Sequence, residues 1–149
     1  MSTHTQASLQ VSRLINADPA TVFRAWTEPH HLKQWSCPES GTIDDVQVDL
    51  VVGGRYRIRM RGSDGTVHTA VGRYREITPP RRLVYTWDWE EEDSRVGETL
   101  VTVEFTDLGG TTEVVLTHEL FPTAAAKSSH EQGWTSCLNR LEQLFGRVG

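Results

Sequence analysis

From Ile43 to Phe121 the apolar residues recur mostly at every second position, whereas from Trp134 to Phe145 they recur at three and four. A period of two belongs to strands with one buried face, and a period near 3.6 to a helix with one buried stripe. Trp134, Cys137, Leu138, Leu141, Leu144 and Phe145 make that stripe, while Glu131, Gln132, Asn139, Arg140, Glu142 and Gln143 take the other positions. The spacing predicts a helix over 130–145, started by Ser128 or Ser129 and ended by Gly146. At ~1.5 Å per residue it is roughly 24 Å long, enough to cross a small domain.

Ahead of the strands, Ser8 to Ile15 alternates with Leu9, Val11 and Ile15 on one side, interrupted by Arg13. Asp18 and Pro19 read as cap and first residue of a short helix that buries Val22, Phe23 and Trp26. Glu28-Pro29 opens a second, with Leu32 and Trp35 inward, and Pro38 to Gly41 is a loop. Strands follow over 43–50, 55–61 and 66–77, the last two joined by a turn at Ser63-Asp64-Gly65. Gly72 reads as a bulge that bends the third of these. Leu83, Tyr85, Trp87 and Trp89 give a strand with an aromatic face, and Glu90 to Asp93 an exposed connection. Val101, Val103 and Phe105 mark the next strand; Val114, Leu116, His118 and Leu120 mark the last, all on one face. Gly133, beside Trp134, is expected to let the helix approach the sheet closely. The predicted class is α+β in one domain over 1–149: strand, two short helices, six strands, long helix. Strand twist curls such an antiparallel sheet of about seven strands around the final helix.

Composition narrows the function classes. The chain is 37% hydrophobic and 23% charged over 149 residues, which suits one globular core, and no apolar run reaches the ~20 residues of a membrane span. Met1 to Ala7 is polar and holds no signal-peptide core, so the expected compartment is the cytoplasm and no membrane partner is expected. Cys37 and Cys137 form no metal-binding spacing and no disulfide framework; they are expected as one loop thiol and one core thiol, both reduced. A net charge of −5 argues against nucleic acid, and the arginines at 55, 57, 59, 61, 73, 75, 81 and 82 read as a solvated sheet face with cross-strand ion pairs.

Taken together in order, certain residues resemble a family. They are Ala17-Asp18-Pro19, Val22 to Trp26, Leu32 and Trp35 with Pro38, Val52 to Tyr56, Asp64-Gly65, Gly72 to Ile77, Pro79-Pro80 and Arg82 to Trp87. Thr117-His118-Glu119 and His130 with Gly133-Trp134, Leu138 and Leu141 complete the set. The chain resembles the activator of heat-shock-protein-90 ATPase homologue-like branch of the START/SRPBCC helix-grip superfamily over essentially its full length. That resemblance implies a helix-grip fold and, as function classes, ligand carriage, cyclase-type catalysis or contact with a chaperone. In place of the paired tryptophans that often precede the proline in that family, Trp35 is followed by Ser36-Cys37-Pro38.

The chemistry points to a cavity. Trp35, Tyr56, Tyr85, Trp87, Trp89 and Trp134 supply more ring surface than a small core needs. With Ile58, Met60, His118 and Leu138 they form the expected lining for a small hydrophobic or aromatic ligand, entering near Trp35 to Pro38 and held by a monomer or weak homodimer. His118 is the one catalytic candidate, as a buried general base; the other reading is a core histidine satisfied by a hydrogen bond. Glu104 and Glu113 face water, and His30-His31 are surface neighbours unable to share a metal from one helix face. No metal and no cofactor is expected. The alternative functions are a cyclase or dehydratase acting on an aromatic or polyketide-like substrate, and a chaperone-interacting module.

Overall fold

The computed structural model describes residues 7–37 and 41–146; Pro38, and the polar start before Ala7, lie outside them. The chain runs β1 (Ala7–Ile15), α1 (Pro19–Thr27), α2 (Pro29–Trp35), β2 (Thr42–Val48), β3 (Arg55–Arg61), β4 (Val67–Thr78), β5 (Arg82–Trp89), β6 (Thr99–Asp107), β7 (Thr112–Phe121) and α3 (Ala124–Phe145). The strands form one antiparallel seven-stranded sheet in the order β1-β7-β6-β5-β4-β3-β2. It curves around α3, with α1 and α2 after the first strand, so the architecture is the expected α+β helix grip. Among the described residues no helix is long and apolar enough to cross a membrane.

Local chemistry starts each helix. The Asp18 carboxylate accepts from the Thr21 amide at 2.8 Å, and Pro19 follows in the first helical position. Helix α3 starts six residues earlier than the apolar stripe predicts, because the Thr123 hydroxyl accepts from the Ala126 amide at 3.0 Å and three alanines follow. Trp134, Cys137, Leu138 and Leu141 are its buried residues, whereas Leu144, expected in the stripe, is exposed in the last turn. Arg13, the polar interruption of β1, reaches this helix and donates to the Asn139 side chain at 2.9 Å.

Two expectations about the strands are corrected. The irregularity of β4 against β5 falls between Tyr74 and Glu76, not at Gly72. A side chain on Gly72 would collide with the Thr86 carbonyl and the Tyr56 ring, so this glycine serves close approach of two strands. Across that bare position Tyr56 donates its hydroxyl to the Thr86 carbonyl at 2.6 Å. In β7 the register against β1 shifts after His118, Leu120 takes φ of 72°, and the inward position passes to Phe121. Leu120 is therefore exposed and Phe121 fully buried.

The arginine rows are laced across strands, with Arg57 to Glu90 and Arg61 to Asp44 both at 2.7 Å, and Arg75 to Glu98 at 3.1 Å. Solvent screens these exposed pairs, so each contributes little stability.

Candidate functional site

The period of two in β3 and β5 turns Tyr56, Ile58 and Met60, and Tyr85, Trp87 and Trp89, toward α3. From the helix, Trp134 meets them, its ring 5.1 Å from that of Trp87. These two indoles stand between two spaces. The larger is a cavity of about 410 Å³, within the range of small-molecule sites. Its walls are the β3–β4 hairpin (Met60, Arg61, Gly62, His68), Trp87 and Trp89 of β5, and Ser94 and Val96 beyond it. Ala126, Ser129, His130, Gly133, Trp134 and Cys137 of α3 face them, and Ser36, Cys37 and Gly41 close one side. The smaller is an inner void of about 20 Å³ among Trp26, Leu32, Trp35, Ser36, Tyr56, Ile58, Tyr74, Tyr85, Trp87 and Trp134.

The residues expected at the site are thus divided. Met60, Trp87, Trp89 and Trp134 line the cavity, while Trp35, Tyr56, Ile58 and Tyr85 line only the inner void. His118 and Leu138 line neither; both are fully buried behind the wall. Exposed lining residues are Gly62, His68 and Ser129, which puts solvent access between the hairpin and the start of α3, whereas Trp35, Ser36 and Cys37 are buried.

His118 is held on both nitrogens. The Trp134 indole donates to Nδ1 at 2.9 Å. The Thr99 hydroxyl gives its hydrogen to the Trp87 carbonyl at 2.6 Å, so Nε2–H of His118 donates to that hydroxyl at 2.7 Å. Burial, with His130 nearby, pushes its pKa down to about 2. A neutral ring committed at both ends fixes Trp134 in place and has no nitrogen left to offer a ligand. A second indole–imidazole pair stands beside it. Trp89 donates to His130 Nε2 at 3.1 Å, and His130 Nδ1–H donates to the Ala126 carbonyl at 2.8 Å. Burial lowers the pKa of His130 as well.

The pH dependence has a definite sign. An unfolded histidine takes up its proton near pH 6.5, but folded His118 does so only near 2, so the unfolded chain binds more protons between these values. Stability is complete above about pH 6.5 and falls as pH drops toward 2, by about 2 kcal/mol at pH 5 from this residue. Urea unfolding at pH 7 and pH 5 should show that loss in the wild type, with a smaller one in His118→Gln. Equal losses in both would remove His118 as the cause.

Both thiols are buried, free and on the cavity wall, Cys37 in the connection after α2 and Cys137 on α3. Burial raises the Cys37 pKa against the opposing pull of the Arg140 guanidinium, which donates to its sulfur at 3.0 Å. Arg140 also donates to the carbonyls of Cys37 and Gly41, at 2.9 and 3.1 Å, fastening both ends of the connection to α3. Outside the cavities, the tilted rings of His30 and His31 lie 4.0 Å apart and with Glu28 bring ligand atoms within 4.8 Å of one another, closer company than their adjacency predicts.

Several wall residues were not singled out from the sequence. His130 lies one helical turn before Trp134 and His68 lies opposite Met60 across the hairpin, so both share an inward face with a residue that was. Gly133 gave the opposite signal: a Cβ there would meet nothing within 4 Å, because the residue faces the cavity and not the sheet.

Comparison with known proteins now fixes the family. The description "Activator of Hsp90 ATPase homolog 1-like protein" matches residues 16–146. The chain belongs to that family. Similar solved structures include a Chromobacterium violaceum protein, 27% identical, covering 93% of this chain and 96% of that one with a TM-score of 0.85. An AHSA1 protein from Silicibacter pomeroyi is 26% identical over 91% of this chain and 95% of its own, with a TM-score of 0.81. An uncharacterised Rhizobium leguminosarum protein is 31% identical over 94% and 93%, with a TM-score of 0.79. A comparison with curated proteins gives no match. Ligand binding is common in this START-like family, and the descriptions of these three structures name no ligand.

Proposed function

We propose that this member of the Hsp90-ATPase-activator-like family is a single-domain carrier of a small hydrophobic or aromatic molecule, held in the cavity between the β3–β5 strands and α3. The observation that supports this most is the cavity itself: about 410 Å³ walled by Met60, Trp87, Trp89 and Trp134. A small core of this composition could have filled the space, and the glycine at 133 instead leaves it open. Binding by ring stacking and burial makes selectivity broad, since one methylene changes affinity by only ~1–3 kcal/mol. Titration of aromatic compounds by calorimetry, after native mass spectrometry of freshly purified protein, tests the reading. Dissociation constants below about 100 μM are expected for fused-ring compounds, and none tighter than millimolar would overturn it.

One observation favours a catalytic alternative. At the mouth of the same cavity His68 Nδ1 and Ser94 Oγ lie 3.2 Å apart, a polar pair of the kind that a cyclase or dehydratase would need. Turnover of a bound compound, stopped by His68→Ala without loss of binding, would decide for it.

A further inference from the structure

Pro29 separates α1 from α2, and that break places the side chains around it. Glu28 has extended backbone, φ −95° and ψ 130°, and holds the cap position of α2 without making a side-chain cap hydrogen bond. The third helical residue lies over the cap residue, as in a capping box, so His31 reaches back and its Nε2 stands 3.4 Å from Glu28 Oε1. The neighbouring His30 brings its ring to 4.0 Å from that of His31. One ligand atom from each of the three then lies within 4.8 Å of the other two.

Three features set this cluster apart from an ordinary surface ion pair. Arg24, four residues before Glu28, donates to the Thr21 hydroxyl at 3.4 Å, and among the described residues Glu28 pairs with no lysine or arginine. Among the same residues neither nitrogen of His30 has a hydrogen-bond partner, so both lone pairs and carboxylate oxygens are available to an ion. The helix start does not oppose a cation there. Pro29 has no amide hydrogen, and the amides of His31 and Leu32 donate to the Glu28 carbonyl at 3.1 and 3.0 Å.

We propose that Glu28, His30 and His31 bind a zinc ion, with water in the fourth position. Neighbouring ligands of a tetrahedral zinc bonded at about 2.1 Å are about 3.4 Å apart, the separation already found between His31 and Glu28. Seating His30 takes a small rotation of an exposed side chain. Two imidazoles and one carboxylate suit zinc, whereas calcium and magnesium take oxygen ligands. The ion ties the residue between the helices to the first turn of α2, whose other end leads into Ser36 and Cys37 on the cavity wall. Nothing in this depends on what the cavity holds, so it stands apart from the carrier function.

Chelator-treated protein titrated with zinc chloride by calorimetry tests the proposal. One equivalent should bind with a micromolar dissociation constant. His30→Ala and His31→Ala should each weaken binding at least about tenfold, and Glu28→Gln, which keeps the shape and removes the charge, should weaken it too. All three side chains are at least partly exposed, so the variants should keep the wild-type unfolding midpoint without metal. Cobalt(II) absorption of the wild type, which needs no variant, should show visible bands of a nitrogen- and oxygen-ligated ion and no thiolate charge-transfer band. Binding no tighter than millimolar, an affinity unchanged in either histidine variant, or a thiolate band, which would put the ion on Cys37 or Cys137, would overturn the proposal.

Discussion

Replacing Trp134 by alanine is expected to lower the unfolding free energy by about 3–5 kcal/mol, the range for a large buried aromatic. The indole is 6% exposed and packs on Trp87, so its removal leaves a hollow at the boundary of two spaces that are already open. It also strips the donor from Nδ1 of a fully buried histidine, which has no other. Trp134→Phe separates the two effects: most of the packing stays, the hydrogen bond goes, and the cost should be about 1–3 kcal/mol. Urea unfolding followed by far-ultraviolet circular dichroism measures both. A cost below about 1 kcal/mol for the alanine variant would mean that the imidazole does not hold this ring against the sheet.

Gly133→Leu should have the opposite balance, with binding lost and stability kept. The Cβ direction at this helix-interior glycine is open for 4 Å and lies on the cavity wall, so the new side chain occupies ligand space without striking the protein. Leucine is also the better helix former by nearly 1 kcal/mol, which offsets any exposure of its methyl groups. Affinity for fused-ring compounds should fall at least about tenfold, ~1.4 kcal/mol, with an unfolding midpoint equal to or above that of the wild type. Undiminished binding in a folded Gly133→Leu protein would place the ligand elsewhere.

The architecture was legible because two periods dominate the sequence and the long run of strands gives way cleanly to the final helix. Tyr56, Met60, Trp87 and Trp134 could be placed on facing surfaces from parity alone. Parity fails wherever the backbone adds a residue, as at Leu120, whose inward place goes to Phe121. Periodicity is also silent where a helix begins without burying anything, and the first turns of α3 carry alanines, a lysine and serines. A glycine is ambiguous by nature: Gly72 admits a neighbouring strand and Gly133 leaves a hollow, and nothing local distinguishes them. The choice between a reactive and a structural His118 turned on Thr99 and Trp134, which lie 19 and 16 residues away in the chain. Sequence spacing carries no information about such meetings.

The pairing of the first strand with the last bears on how the chain is made. At the edge of the sheet β1 has one neighbour, β7, from Ile15 opposite Thr112 to Ala7 opposite Phe121. A ribosome adds about 5–20 residues per second, so roughly 100 intervening residues keep the emerging strand waiting about 5–20 s for its partner. Helix α3, which covers β1 on the inner side through Arg13 and Asn139, leaves the exit tunnel later still. The hydrogen-bonded ladder that begins with the chain's earliest strand is therefore among the last to close, and a nascent chain stopped before Thr112 presents β1 as an unpaired edge for chaperones to cover.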